Sequence, residues 1–165
     1  RQMCIRDRVN NASIRADSPF LTLSLTEWRE VTSIILDGAF LCAKLALPHM
    51  LQTGAGRIVN VGGVSAHLGA AHRAHVITAK AGIVGLTRAL AFEFSPQGVT
   101  VNCVVPGKIG GKRSATSGKG IDASPLTPDE GHVEDIAKMI SHLCLPSSRY
   151  VTGQSIHVSG GMFMP

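Results

Sequence analysis

The sequence predicts an α/β protein, the C-terminal part of a doubly wound parallel sheet, and three consecutive segments carry that prediction. Gly56-Arg57-Ile58-Val59-Asn60-Val61 and Gly98-Val99-Thr100-Val101-Asn102-Cys103-Val104-Val105-Pro106-Gly107 are β-rich apolar runs, each entered through a glycine and the second closed by a Pro-Gly breaker. Runs so continuously apolar suit strands buried on both faces, as in parallel sheets. Between them, residues 75–94 set Val76, Ile83, Leu86, Leu90 and Phe94 near helical spacing, with Ala79, Ala81, Gly82 and Gly85 small enough to admit a second backbone. A strand, helix and strand of this length make a right-handed βαβ crossover.

An earlier helix is expected over residues 26–51. Thr26 is the candidate N-cap, with Glu27 and Glu30 in the first turn, where the helix dipole favours acids. Val31, Ile34, Ile35, Gly38, Leu41, Cys42, Leu45 and Met50 then repeat at helical spacing and give an apolar face broad enough for both a sheet and a partner subunit. The longest apolar run, Ile34 to Met50, is interrupted by Asp37 and Lys44, so no membrane-spanning segment and no membrane partner are expected. After the Pro-Gly turn, residues 107–128 form a loop expected to be flexible, rich in Gly, Ser and Lys over Gly107 to Ser124.

The chain of 165 residues carries a formal charge of +5, which raises the question of nucleic acid. Arg1, Arg6 and Arg8 against Asp7 contribute +2, and Lys108, Lys112, Arg113 and Lys119 against Asp122 contribute +3, so these two stretches hold the whole excess. No basic helix face interleaved with aromatics is left, and no nucleic-acid partner is expected. Cys4, Cys42, Cys103 and Cys144 lack metal or redox spacing. Buried free thiols in a reducing, cytoplasmic compartment are the expectation.

Four ordered landmarks carry a resemblance: Asn10-Asn11-Ala12-Ser13, Lys80 on its helix, Pro106-Gly107, and Tyr150-Val151-Thr152-Gly153 through Gly160-Gly161. From Val9 to the C-terminus the chain resembles the short-chain dehydrogenase/reductase family. That resemblance implies a partial NAD(P)-binding Rossmann-type domain over residues 9–165, entered within the family's fourth strand. The glycine-rich turn that seats a dinucleotide pyrophosphate on a helix N-terminus is expected further upstream in such a fold. Gly54-Ala55-Gly56 is no substitute, because it follows a helix and leads into a strand. Residues 1–8 read as a foreign or disordered leader on a truncated chain, which would fold poorly with an unpaired sheet edge.

The resemblance also implies site residues. NAD or NADP would be held by Asn11, Ala12, Ser13, Lys80, Pro106, Gly107, Lys108 and Ile109. The substrate would be a small carbonyl compound or alcohol. The implied assembly is a homodimer or homotetramer built through helices 26–51 and 75–94. The family's proton-donating tyrosine falls on Val76, its carbonyl-binding serine on Gly63, its water-anchoring asparagine on Ile35, and a common amide-binding threonine on Gly111. None of the side chains at 76, 63 and 35 can exchange a proton or bond a carbonyl oxygen.

His67, His72, Arg73 and His75 lie in the segment that would rim the cleft, and histidine suits proton exchange near neutral pH. His75 and His72 therefore join Lys80 as candidate catalytic residues, although His75 is turned about 100° around the helix from position 76. His72 and His75 lack a third ligand at metal spacing, so no metal is expected. Arg15 is a candidate clamp for a carboxylate or phosphate. Two classes stay open: an NAD(P)-dependent oxidoreductase of the 3-oxoacyl reductase kind, and a catalytically silent relative that binds a nucleotide or serves as a structural subunit.

Overall fold

A computed structural model describes residues 6–110, 121 and 123–165. Among these, β1 (Asp7–Asn10), β2 (Arg57–Val61), β3 (Thr100–Pro106) and β4 (Ser155–Val158) form one parallel sheet in the order β1-β2-β3-β4. The connections run through α1 (Leu25–Thr32), a π-helical turn (Ser33–Asp37), α2 (Gly38–Thr53), α3 (Ser65–Leu68), α4 (Ala74–Phe94) and α5 (Val133–Cys144). The chain is thus an α/β fold with a parallel sheet, as its two apolar runs and intervening helix predict.

Both faces of the sheet are covered, which explains why β3 reads as an unbroken apolar run. Val101, Cys103 and Val105 pack beneath α1, α2 and α4, while Val104 turns to the other face and joins Val59 and Leu143 of α5. Polar residues within the sheet are paired. Asn10 Nδ2 donates to Asn60 Oδ1 at 2.8 Å, Asn60 Nδ2 donates to Thr87 Oγ1 at 2.9 Å, and Thr87 Oγ1 donates to the Ile83 carbonyl at 2.8 Å. This chain ties β1, β2 and α4 together through groups that would be costly to bury unbonded.

The first strand begins at Asp7, inside the stretch read as a leader. Asp7 and Arg8 pair in register with Arg57 and Ile58, so main-chain hydrogen bonding extends the strand over polar residues that hydropathy alone excludes. Residues 1–5, including Cys4, lie outside the described residues.

The long helix starts at Leu25, and its cap is Ser24 rather than Thr26. Glu27 N–H donates to Ser24 Oγ at 3.2 Å and Ser24 N–H donates to Glu27 Oε2 at 2.9 Å, a reciprocal capping box that Thr26 has no glutamate to complete. The run Leu25–Thr53 is 29 residues long, and by length and composition apolar enough to cross a membrane, so Asp37 and Lys44 do not break it as expected. Part of its apolar surface has a place in the core, where Ala43, Ala46, Leu47 and Met50 pack against Ile58, Val99 and Val101.

Of the loop over residues 107–128, residues 111–120 and 122 lie outside the described residues, and Gly111, Lys112, Arg113 and Lys119 with them. Its ends are bonded. Ile109 bridges to Gly131, and Leu126 N–H donates to the Gly160 carbonyl at 2.7 Å. Gly160 and Gly161 sit at φ of 58° and 79°, a left-handed turn that seats Leu126 and Thr127. Cys103 is fully buried, but Cys42 and Cys144 are only half-buried.

Candidate active site

Beyond the C-terminal ends of β1, β2 and β3 lies a cleft of about 820 Å³, the position at which open α/β sheets bind ligands. Three strand ends supply its walls: the Asn11–Arg15 stretch after β1, Gly62–Ser65 after β2, and Pro106–Ile109 after β3. The helix α4 lays Val76 and Lys80 along the side.

Lys80 is 7% exposed, and its Nζ donates to the Val61 carbonyl at 2.7 Å, at the end of β2. Burial lowers the ammonium to about 8 from 10.5; the neighbouring Cys103 thiol opposes that shift and Arg15 adds to it. The same burial raises the Cys103 thiol to about 11, so it is neutral at physiological pH.

Arg73 lines the cleft one turn before Val76, its Nε 2.8 Å from Asp17 Oδ1. Lys108 is paired with Glu130 at 2.9 Å. With Arg15, Arg73, Lys80 and Lys108 on its walls and no carboxylate among the described lining residues, the cleft suits an anionic ligand. Its volume lies within the range of small-molecule and cofactor sites. The residues present therefore fit the part of a nucleotide cofactor that lies over these strand ends.

Of the residues expected around a cofactor, Asn11, Ser13, Lys80, Pro106, Gly107, Lys108 and Ile109 all line this cleft, and Ala12 does not. The two histidines expected beside Lys80 are also absent from its lining. His75 is 1% exposed, with Nδ1 buried and unbonded, and burial pushes its imidazole below the ordinary range. His72 is exposed in the left-handed region at φ 61°, and its carbonyl accepts the Ser18 N–H at 2.7 Å. The helical turn of about 100° between successive residues carries His75 away from the face that Val76 presents.

A family model described as Enoyl-(Acyl carrier protein) reductase matches residues 7–163. The chain belongs to the short-chain dehydrogenase/reductase family. It is 39% identical over 160 residues to the 3-oxoacyl-[acyl-carrier-protein] reductase FabG of Aquifex aeolicus, covering 94% of this chain and 64% of that protein. FabG of Staphylococcus aureus is 36% identical, at 94% and 65% coverage. The uncharacterized oxidoreductase YohF of Escherichia coli is also 36% identical, at 94% and 64%. The chain thus spans slightly under two thirds of the length of these relatives.

Within this short-chain dehydrogenase/reductase scaffold, the two positions at which the resemblance implies an asparagine and a tyrosine are apolar and in one place. Ile35 lies in the π-helical turn and Val76 lies on α4, and both belong to a single buried cluster with Val64, Ala79, Cys103 and Val105. Position 63 is glycine. Ser65, two residues on, lines the cleft, although spacing from the tyrosine position does not pick it out and only histidines of its segment stood as candidates. Its signal was a lone hydroxyl in the apolar run after β2.

Proposed function

We propose that the protein is an NAD(P)-dependent oxidoreductase that interconverts a carbonyl and a secondary alcohol, with 3-oxoacyl thioesters as the substrate class. The observation that supports this most is Lys80, held by the Val61 carbonyl at 2.7 Å inside a cationic cleft at the strand ends. When bound, the nicotinamide would supply a hydride to the carbonyl carbon. Asn11 and Ser13 would hold its adenine side, and Pro106, Gly107, Lys108 and Ile109 its nicotinamide side. Lys80 spends one N–H on Val61 and keeps others for the ribose hydroxyls.

As the hydride arrives, the carbonyl π pair moves to oxygen, and that oxygen needs a proton. Lys80 is the proposed source, because a group titrating at about 8 exchanges protons near neutral pH and regains its own from solvent. His75 and His72, outside the cleft, are second choices that would need a rearranged α4 N-terminus. The exposed apolar residues Phe40, Leu41 and Leu45 on α2 and Phe92 on α4 support a homodimer or homotetramer through these helices. Half-buried free thiols at Cys42 and Cys144 suit the reducing cytoplasm.

The clustering of Ile35 with Val76 favours a second reading, a silent relative that keeps the cofactor seat without proton transfer. Titrating NADH and NADPH by fluorescence into the longest natural form of the protein, then offering a panel of 3-oxoacyl thioesters, separates the two. Binding with turnover supports the oxidoreductase, binding without turnover supports the silent relative, and absence of binding removes both.

A further inference from the structure

We infer that the hydroxyl of Ser65 binds the substrate carbonyl oxygen, in place of the side chain missing at Gly63. This deepens the oxidoreductase reading and rests on it for the kinetic part of its test only. A Cβ built on Gly63 would have Ser65 Oγ as its neighbour at 3.8 Å, an ordinary van der Waals separation. A hydroxyl carried by residue 63 would therefore project into the space beside Ser65 Oγ. The two positions offer a donor to the same corner of the cleft, which both line together with Lys80.

Ser65 has no competing task. It is the first residue of α3, whose N-cap position is held by Val64, so its hydroxyl is not engaged in capping the helix. Its hydroxyl has no hydrogen-bond partner among the described residues, although the residue is only 7% exposed. That hydroxyl is open to the cleft, and a carbonyl oxygen arriving there could accept from it.

The backbone around it is fixed in advance. Val64 N–H donates to the Pro106 carbonyl at 3.0 Å, and Gly69 N–H donates to the Ser65 carbonyl at 2.9 Å, which pins the start of α3 against the end of β3. A donor held this way needs no reorganisation when charge develops on the carbonyl oxygen.

The test uses Ser65→Ala, Gly63→Ser and the double variant in the longest natural form of the protein, with NADPH for turnover and NADP for dead-end binding. The probe is the 3-oxobutyryl thioester of N-acetylcysteamine. Ser65→Ala should weaken thioester binding to the NADP complex about fivefold and lower kcat about 100-fold, with NADPH affinity unchanged. Gly63→Ser in the Ser65→Ala background should recover both, because the hydroxyl returns to the same corner. Unchanged binding in Ser65→Ala, or a loss that the double variant does not recover, overturns the inference. Serine-dependent thioester binding without turnover in the unaltered protein supports the inference and overturns the oxidoreductase reading; no thioester binding overturns both.

Discussion

Lys80 holds its charge in an environment that disfavours it, and this has a consequence for stability. Its folded pKa of about 8 lies below its ordinary 10.5, so between those values the unfolded chain binds more protons than the folded one. Stability therefore climbs as pH rises through that window and is flat with respect to this group below it. The full excursion corresponds to about 3 kcal/mol. Urea denaturation should show this rise in the unaltered protein and a smaller one in Lys80→Met, which should also lose affinity for a nicotinamide cofactor. A second pair titrates lower. His67 and His157 meet edge to face at 4.5 Å and both pack on Phe163, and burial pushes both imidazoles below 6.5. Arg88, near His67, acts in the same direction. As pH falls below 6.5 the unfolded state takes up protons that the folded pair refuses, so stability drops. His67→Phe should flatten that drop in a Tm series; an unchanged slope would show that this pair does not govern acid stability.

At the scale of elements, the helix from Leu25 to Thr53 and the turn after α4 show how local geometry sets the site. The π-helical turn at Ser33–Asp37 places Ile35 at 3% exposure against the floor below the cleft, and such turns are frequent at functional sites. The helix ends at Gly54, left-handed at φ 61°, directly against Gly98 at φ 84°. A Cβ on Gly98 would run into the Gly54 carbonyl oxygen, so the turn leading into β3 is tied to the end of α2. Gly98→Ala should cost at least roughly 2 kcal/mol in chemical denaturation, from the left-handed backbone and the steric conflict together. A change within a few tenths of that method's scatter would mean that the two turns separate easily.

At the scale of the whole molecule, large apolar side chains are left exposed on α2 and α4. Leu45 is 75% exposed and Phe92 91%, with Phe40 and Leu41 about half exposed beside Leu45 on α2. In the proposed homo-oligomer, burying them against a second copy would stabilise the assembly by about 25 cal/mol per Å² of apolar area removed from water. The double substitution Phe40→Glu and Leu45→Glu should lower the molar mass measured by light scattering to that of a smaller assembly, while the far-ultraviolet circular dichroism is retained. An unchanged mass would locate the subunit contact elsewhere.

Much of this was legible in the sequence because it rests on periodicity and turn chemistry. Two apolar runs, a 21-residue helix between them and a Pro-Gly stop determined the parallel α/β arrangement, since those signals are local and repeat along the chain. Spacing from Lys80 pointed to Val76 and Gly63, and spacing from Trp28 to Ile35. Other features depended on contacts between distant segments. Asp7 and Arg8 enter β1 only because Arg57 and Ile58 offer them a ladder. His75 and His72 leave the cleft because the path of the chain into α4, which no spacing rule reports, turns one inward and the other to solvent. Ser65 comes into view only when Pro106 on a separate strand holds its segment at the cleft. The sequence by itself determined the strand-helix-strand core and the family it belongs to; only the tertiary structure decided which polar groups share a cavity, because that depends on the packing of segments far apart in the chain.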